Sequence, residues 1–174
     1  MRLEAASINA PRGLAEMIAD LGTVENGFGG APVATGVLTL DEYIRKCIEM
    51  TDVTKLLPGH VPQTVFWAID ENEEAIGMVR VRHYLNESLK ERGGHIGYYV
   101  CRDKRGKGHG KAMLRQALAE LIKIGETRAI LTVNMDNIPS IKVIEVNGGV
   151  LESVGQSPEG EKFGRYWIDL NKFA

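Results

Sequence analysis

Tyr99-Val100-Cys101-Arg102-Asp103-Lys104-Arg105-Gly106-Lys107-Gly108-His109-Gly110-Lys111 decides how the rest of this chain folds. An apolar strand pattern, His95 to Arg102, runs into it. An amphipathic helix leaves it, with Leu114, Ala117, Leu118, Leu121 and Ile122 on one face and Gly125 at its end. Gly106, Gly108 and Gly110 let the backbone come close to a ligand and take dihedrals closed to other residues. The first-turn amides of the helix have no intrahelical acceptor, and its dipole favours negative charge there. Lys107 and Lys111 oppose that dipole, at a cost of a few tenths of a kcal/mol each, roughly, which a bound phosphate reverses. The stretch reads as an anion cradle.

Outward from it, the pattern is of mixed strands and helices. Leu3 to Ile8 reads as a strand and Pro11 to Leu21 as a helix. Glu25 to Pro32 is too rich in glycine for either and reads as a loop, with Phe28 as a ligand contact or a core plug. Asp41 can cap a helix from Glu42 to about Met50. Thr64–Ile69 and Ala75–His83 form an antiparallel hairpin around a polar turn, and Tyr84 to Arg92 makes a short helical excursion. After the glycine loop and its helix comes a strand, Ala129–Val133, expected parallel to the His95–Arg102 strand because a crossover helix joins them. Asn137 or Ile138 caps a helix through Val146, with Pro139 in its first turn. Val150–Gly155 and Arg165–Leu170 close the chain as an antiparallel pair. The expected class is α+β, a mostly antiparallel sheet with one parallel crossover and flanking helices, in one domain over residues 1–174.

With 174 residues, 44% hydrophobic, the chain can bury one sizeable core. A formal net charge of -2 offers no global attraction to nucleic acid or membrane, so neither is an expected partner. Cys47 and Cys101 form no CxxC pair and no metal-ligand spacing, and no metal is expected. The first residues carry no signal-peptide pattern and no stretch approaches a membrane span, so a soluble cytoplasmic protein is expected.

Arg105-Gly106-Lys107-Gly108-His109-Gly110 matches the Arg/Gln-x-x-Gly-x-Gly/Ala signature of the GNAT superfamily of acyl-CoA-dependent N-acetyltransferases, between strand and helix as in that family. Asn134 to Gly149, with Asn137, Ser140 and Asn147-Gly148, resembles its second motif. The Gly27-Phe28-Gly29-Gly30 loop resembles a bacterial branch of predicted acetyltransferases. The resemblance implies a GNAT-like fold and acetyl-CoA as cosubstrate. It implies that backbone amides of Arg105, Gly106, Lys107, Gly108, His109 and Gly110 hold the pyrophosphate, with Lys104 or Lys107 close by and Lys111 at the same helix end. It further implies that backbone groups of Tyr99, Val100 and Cys101 pair with the pantetheine arm, faced by Asn137 and Ser140.

The implied chemistry is direct attack of a neutral primary amine on the thioester in a ternary complex. Ile144 stands where many members carry a tyrosine acid, so Tyr98 or Tyr99 is left to protonate the thiolate, unless water does so or it leaves unprotonated. Where some members have a glutamate base, this chain reads Gly93-Gly94-His95. His95, with an unperturbed pKa of about 6.5, is the first candidate base, or else a polar strand-end residue. Cys101 lacks an activating base for a covalent role. Glu25, Asn26 and Phe28 could meet the acceptor, a small-molecule or peptide amine, and the terminal strands could pair across a homodimer.

Two rivals remain. A nucleotide site fails on spacing, because Gly110-Lys111 is followed by Ala112 rather than a hydroxyl, and no Gly-x-Gly-x-x-Gly is present. The alternative of a non-catalytic acyl-CoA-binding module with the same fold is motivated by Ile144 and the missing glutamate.

Overall fold

The computed structural model describes residues 1–25, 28–29 and 32–173. Among these the order is β1 (Arg2–Ala5), α1 (Leu14–Leu21), β2 (Val24–Glu25), β3 (Phe28–Gly29), α2 (Leu40–Glu49), β4 (Gln63–Ile69), β5 (Ala75–Arg82), α3 (Glu87–Glu91), β6 (Ile96–Val100), α4 (His109–Lys123), β7 (Arg128–Asn134), α5 (Ile138–Val146), β8 (Val150–Gln156) and β9 (Lys162–Asp169). The class is α+β. No described helix is long and apolar enough to cross a membrane.

The strands form two main sheets rather than the one expected. β1-β4-β5-β6 is antiparallel throughout, and β7-β9-β8 is a second antiparallel sheet with β9 in the middle. Period-two alternation splits β4 and β5 between two cores. Phe66, Ala68, Val79 and Val81 face α4 and the second sheet, whereas Val65, Trp67, Ile69 and Met78 face α1 and α2. Met113, Leu114, Leu118 and Leu121 of α4 are wholly buried, each stabilising by about 1.5–3 kcal/mol. That burial makes α4 a rigid mount for the loop at its N-terminus.

The expected parallel ladder between the strands flanking α4 does not form. The His95 amide donates to Ile130 O at 2.7 Å, and Gly94 and Leu131 make an isolated bridge of antiparallel type. Gly94 has a φ of +66°, and a Cβ built on it lies 2.3 Å from Ile130 O, so only glycine lets β7 approach here. Beyond this junction no ladder joins β6 to β7 among the described residues. Residues of both strands C-terminal to it line one cleft, so the strands leave the contact together and part.

Two local readings also change. Thr39, not Asp41, caps α2: its hydroxyl accepts the Glu42 amide while the Glu42 carboxylate accepts the Thr39 amide at 2.8 Å, a reciprocal capping box. The expected loop at Glu25 to Pro32 contains a short antiparallel pair, with Glu25 opposite Phe28.

Candidate active site

The cleft between β6 and β7 has a volume of about 1000 Å³. At one end lies the glycine loop. Gly106 and Gly108 sit at φ +75° and +83°, where an L side chain is strained, and a Cβ built on either meets nothing within 4 Å. Gly108 is the N-cap of α4 and no side chain caps that helix. The amides of His109, Gly110 and Lys111 therefore lack an intrahelical acceptor, and these residues line the cleft. Lys104, Arg105 and Lys111 add positive charge to the same wall. An anionic group fits this end on the donor set alone.

β6 is the edge of its sheet, and alternation fixes which backbone groups face the cleft. The Cys101 amide donates to Ile76 O at 2.9 Å, and the Arg82 amide donates to His95 O at 2.8 Å. Antiparallel pairing therefore turns the backbone of odd-numbered residues toward β5 and that of Ile96, Tyr98 and Val100 toward the gap. The expectation that the Tyr99 and Cys101 backbones pair with a pantetheine arm is corrected: those groups are used by the sheet. The Val100 and Tyr98 backbones face the gap instead. The Val100 carbonyl accepts Arg105 Nε at 3.0 Å, which fixes Arg105 against the strand end.

Across the gap, the Asn137 side chain caps α5 by accepting the Ser140 amide at 3.3 Å. Ser140 Oγ lies 2.6 Å from the Tyr98 hydroxyl, which bridges β6 to α5. Burial pushes the Tyr98 pKa up to about 12, so the phenol keeps its proton at neutral pH. Asn147, buried at the end of α5, donates to Val143 O at 2.8 Å and to Lys111 O at 3.3 Å. The second motif is thereby tied to the first turn of α4.

His95 is not where the candidate base was expected. It is buried, does not line the cleft, and its Nδ1 accepts the Ile130 amide at 2.9 Å. Burial, with the Arg82 charge near it, pushes its pKa down to about 4 even though Glu126 stands 4.0 Å from Nε2. His95 pins the strand junction. Cys101 and Lys107 also lie off the lining; burial pushes the Cys101 thiol up to about 11, and Lys107 Nζ donates to Asp103 O at 3.2 Å.

The Tyr99 phenol donates to Asp20. Burial and that carboxylate raise its pKa. Burial alone would raise the Asp20 carboxyl as well, but hydrogen bonds from Tyr99 and Arg102 outweigh it and hold the group below its usual value. Glu25 accepts from Arg102 Nη2 at 2.7 Å and Arg105 Nη2 at 2.5 Å, so its charge is spent on the loop. Phe28 stacks near Tyr99 with centroids 6.4 Å apart, and Arg80 lies over the Phe28 ring at 4.5 Å. Asn26 lies outside the described residues.

The sequence reading missed the far end of the cleft. Arg80 and Arg82 leave β5 on one face, two residues apart, and Arg92 follows α3; all three line the cleft with Leu89 and Ile96. Two arginines alternating with Val79 and Val81 in a strand otherwise apolar were the available signal.

Residues 37–148 match the model of the acetyltransferase (GNAT) family. No curated protein sequence matches the chain. Among solved structures, a spermidine N-acetyltransferase mutant from Vibrio cholerae superposes with a TM-score of 0.68 at 14% identity, covering 99% of this chain and 97% of that one. A proposed acetyltransferase from Acinetobacter baylyi gives 0.65 at 12% identity, covering 98% and 93%. A proposed phosphinothricin N-acetyltransferase gives 0.59 at 17% identity, covering 97% and 98%.

Proposed function

Since the chain belongs to the acetyltransferase (GNAT) family, we propose that it transfers the acetyl group of acetyl-CoA to a primary amine by direct attack within a ternary complex. The observation that carries this reading is the free edge of β6 leading to the uncapped N-terminus of α4 inside one cleft. The amides of Gly108 to Lys111 would hold the diphosphate, and the outward groups of Tyr98 and Val100 would hold the pantetheine amides. Acetyl-CoA supplies an activated carbonyl.

Everything else falls to the chain. Backbone amides on the β6 edge orient the carbonyl and stabilise negative charge on its oxygen. Tyr98, protonated and beside Ser140, is the candidate acid for the departing thiolate. Tyr99, committed to Asp20, is a positioning residue. The amine must arrive neutral, and the Arg82 charge at the far end disfavours its ammonium form. That lowers the demand for a side-chain base, which His95 does not meet.

Release of free thiol from acetyl-CoA across a panel of primary amines tests the proposal. Amine-dependent release that saturates in both substrates, with lines that intersect in initial-rate plots, is expected. Tight acetyl-CoA binding with no release for any amine would instead favour a non-catalytic binding module. The exposed Val150, Leu151 and Val154 on edge strand β8 support a homodimer, which sedimentation would detect.

A further inference from the structure

We propose that Glu25 and Arg105 form a latch that selects the acyl donor: Arg105 covers the Val100 carbonyl until the diphosphate of a donor draws it away. The inference rests on the acetyl-transfer reading above and adds a specificity device to the donor half of that site.

Arg105 Nε donates to Val100 O at 3.0 Å, and Arg105 Nη2 donates to the Glu25 carboxylate at 2.5 Å. The same guanidinium lies 5.5 Å from the centre of the Tyr99 ring. One planar fork thus joins the end of β6 to β2. Val100 O is one of the outward groups to which a pantetheine amide would donate, and Arg105 and Glu25 both line the cleft. A thioester arm laid along β6 therefore meets the Arg105 side chain at the last carbonyl of the strand.

The latch is built to open. The Arg105 side chain is 43% exposed, and an ion pair at that exposure is weak. Glu25 is less exposed, yet its carboxylate is not stranded when Arg105 leaves, because Arg102 Nη2 also donates to it at 2.7 Å. Arg102 itself is tied down: Asp20 accepts from its backbone amide at 2.9 Å and from its Nη1 at 3.1 Å. Arg105 stands directly before Gly106 in the glycine loop, so its fork stays within reach of an anion held by the α4 amides. A diphosphate offers that fork a bidentate partner of higher charge than Glu25. Phosphate-free pantetheine offers nothing in return, and binds only the fraction of molecules in which Val100 O is already bare.

NMR titration of the whole protein with coenzyme A and with pantetheine, and no acceptor amine, reads the latch as two dissociation constants. In Arg105→Ala, pantetheine should bind at least about threefold tighter, as when an open fraction of about one third or less rises toward one. Coenzyme A should bind that variant more weakly, for want of the fork. In Glu25→Gln both ligands should bind tighter, because Arg105 is released and still present. The double variant should match Arg105→Ala, since Glu25 acts through Arg105. A merely structural role for the pair would weaken both ligands together and leave their ratio unmoved. Pantetheine binding that is unchanged or weaker in Arg105→Ala, or coenzyme A binding that weakens in Glu25→Gln, would overturn the latch while leaving acetyl transfer standing. Wild-type protein that binds neither ligand would remove both.

Discussion

The two ends of the cleft are built by opposite means. At the α4 end the cleft is lined by residues close together in the chain, and what they present is backbone: positive-φ glycines, an uncapped helix and a strand edge. At the β5 end they are side chains from β3, β5 and the α3–β6 connection, brought together only by the tertiary fold. Backbone at the first end makes it tolerant of side-chain change and intolerant of altered dihedrals. Side chains at the second make it the place where specificity can vary without disturbing the donor.

The largest expected effect lies between the ends, at Tyr98. Tyr98→Phe should lower kcat by about 10²-fold, the size of a lost general acid, with little change in either KM. It should also remove the alkaline ionisation from the kcat profile; unchanged turnover would move the thiolate's proton to water.

Next is Gly108→Val, which strains a φ of +83° and fills the space before the helix amides. Loss of one or two charge-assisted hydrogen bonds should weaken acetyl-CoA about 30-fold by calorimetry. The acceptor KM should stay put. If both substrates weaken equally, the two ends are not separately built.

His95→Leu should act on stability. The Ile130 amide loses its acceptor, at a cost of about 1–3 kcal/mol in denaturant unfolding, while kcat at saturating substrates stays within about threefold. The pH dependence has a definite sign. Native His95 stays neutral down to about pH 4, whereas the unfolded chain takes up the proton near 6.5. Its contribution is thus complete above about pH 6.5 and lost as pH falls toward 4, so the variant's stability should slope less across that window. An unchanged slope would contradict the pinning role. The smallest effect is expected for Tyr99→Phe, which removes the hydrogen bond to Asp20: less than about threefold in kcat and a modest loss of stability.

This division also explains what could be read from the sequence. The glycine loop, α4 and the Asn137 cap are local, so their residues announce themselves by spacing, and Ser140 follows that cap into the cleft lining. The junction at Gly94 and Ile130 is not local. A crossover helix alone implied a parallel ladder, and nothing in either strand shows that contact stops after one bridge. His95 misled for the same reason: its place at the strand's start was legible, but the direction of its ring depends on an amide 35 residues away. Which of Tyr99, Val100 and Cys101 turns its backbone outward depends on pairing with Ile76, again a distant partner. Arg80 and Arg82 carried a legible signal, two charges on one face of an apolar strand. It went unused because charges in strands usually face water.

At 19.1 kDa the protein suits amide-resolved NMR. Titrating coenzyme A into labelled protein should shift the amides of Gly106, Gly108, His109, Gly110, Tyr98 and Val100, and leave the Arg80 and Arg82 guanidinium resonances unmoved. Shifts concentrated at Arg80 and Arg82, with the loop and β6 edge silent, would contradict a donor site made of backbone.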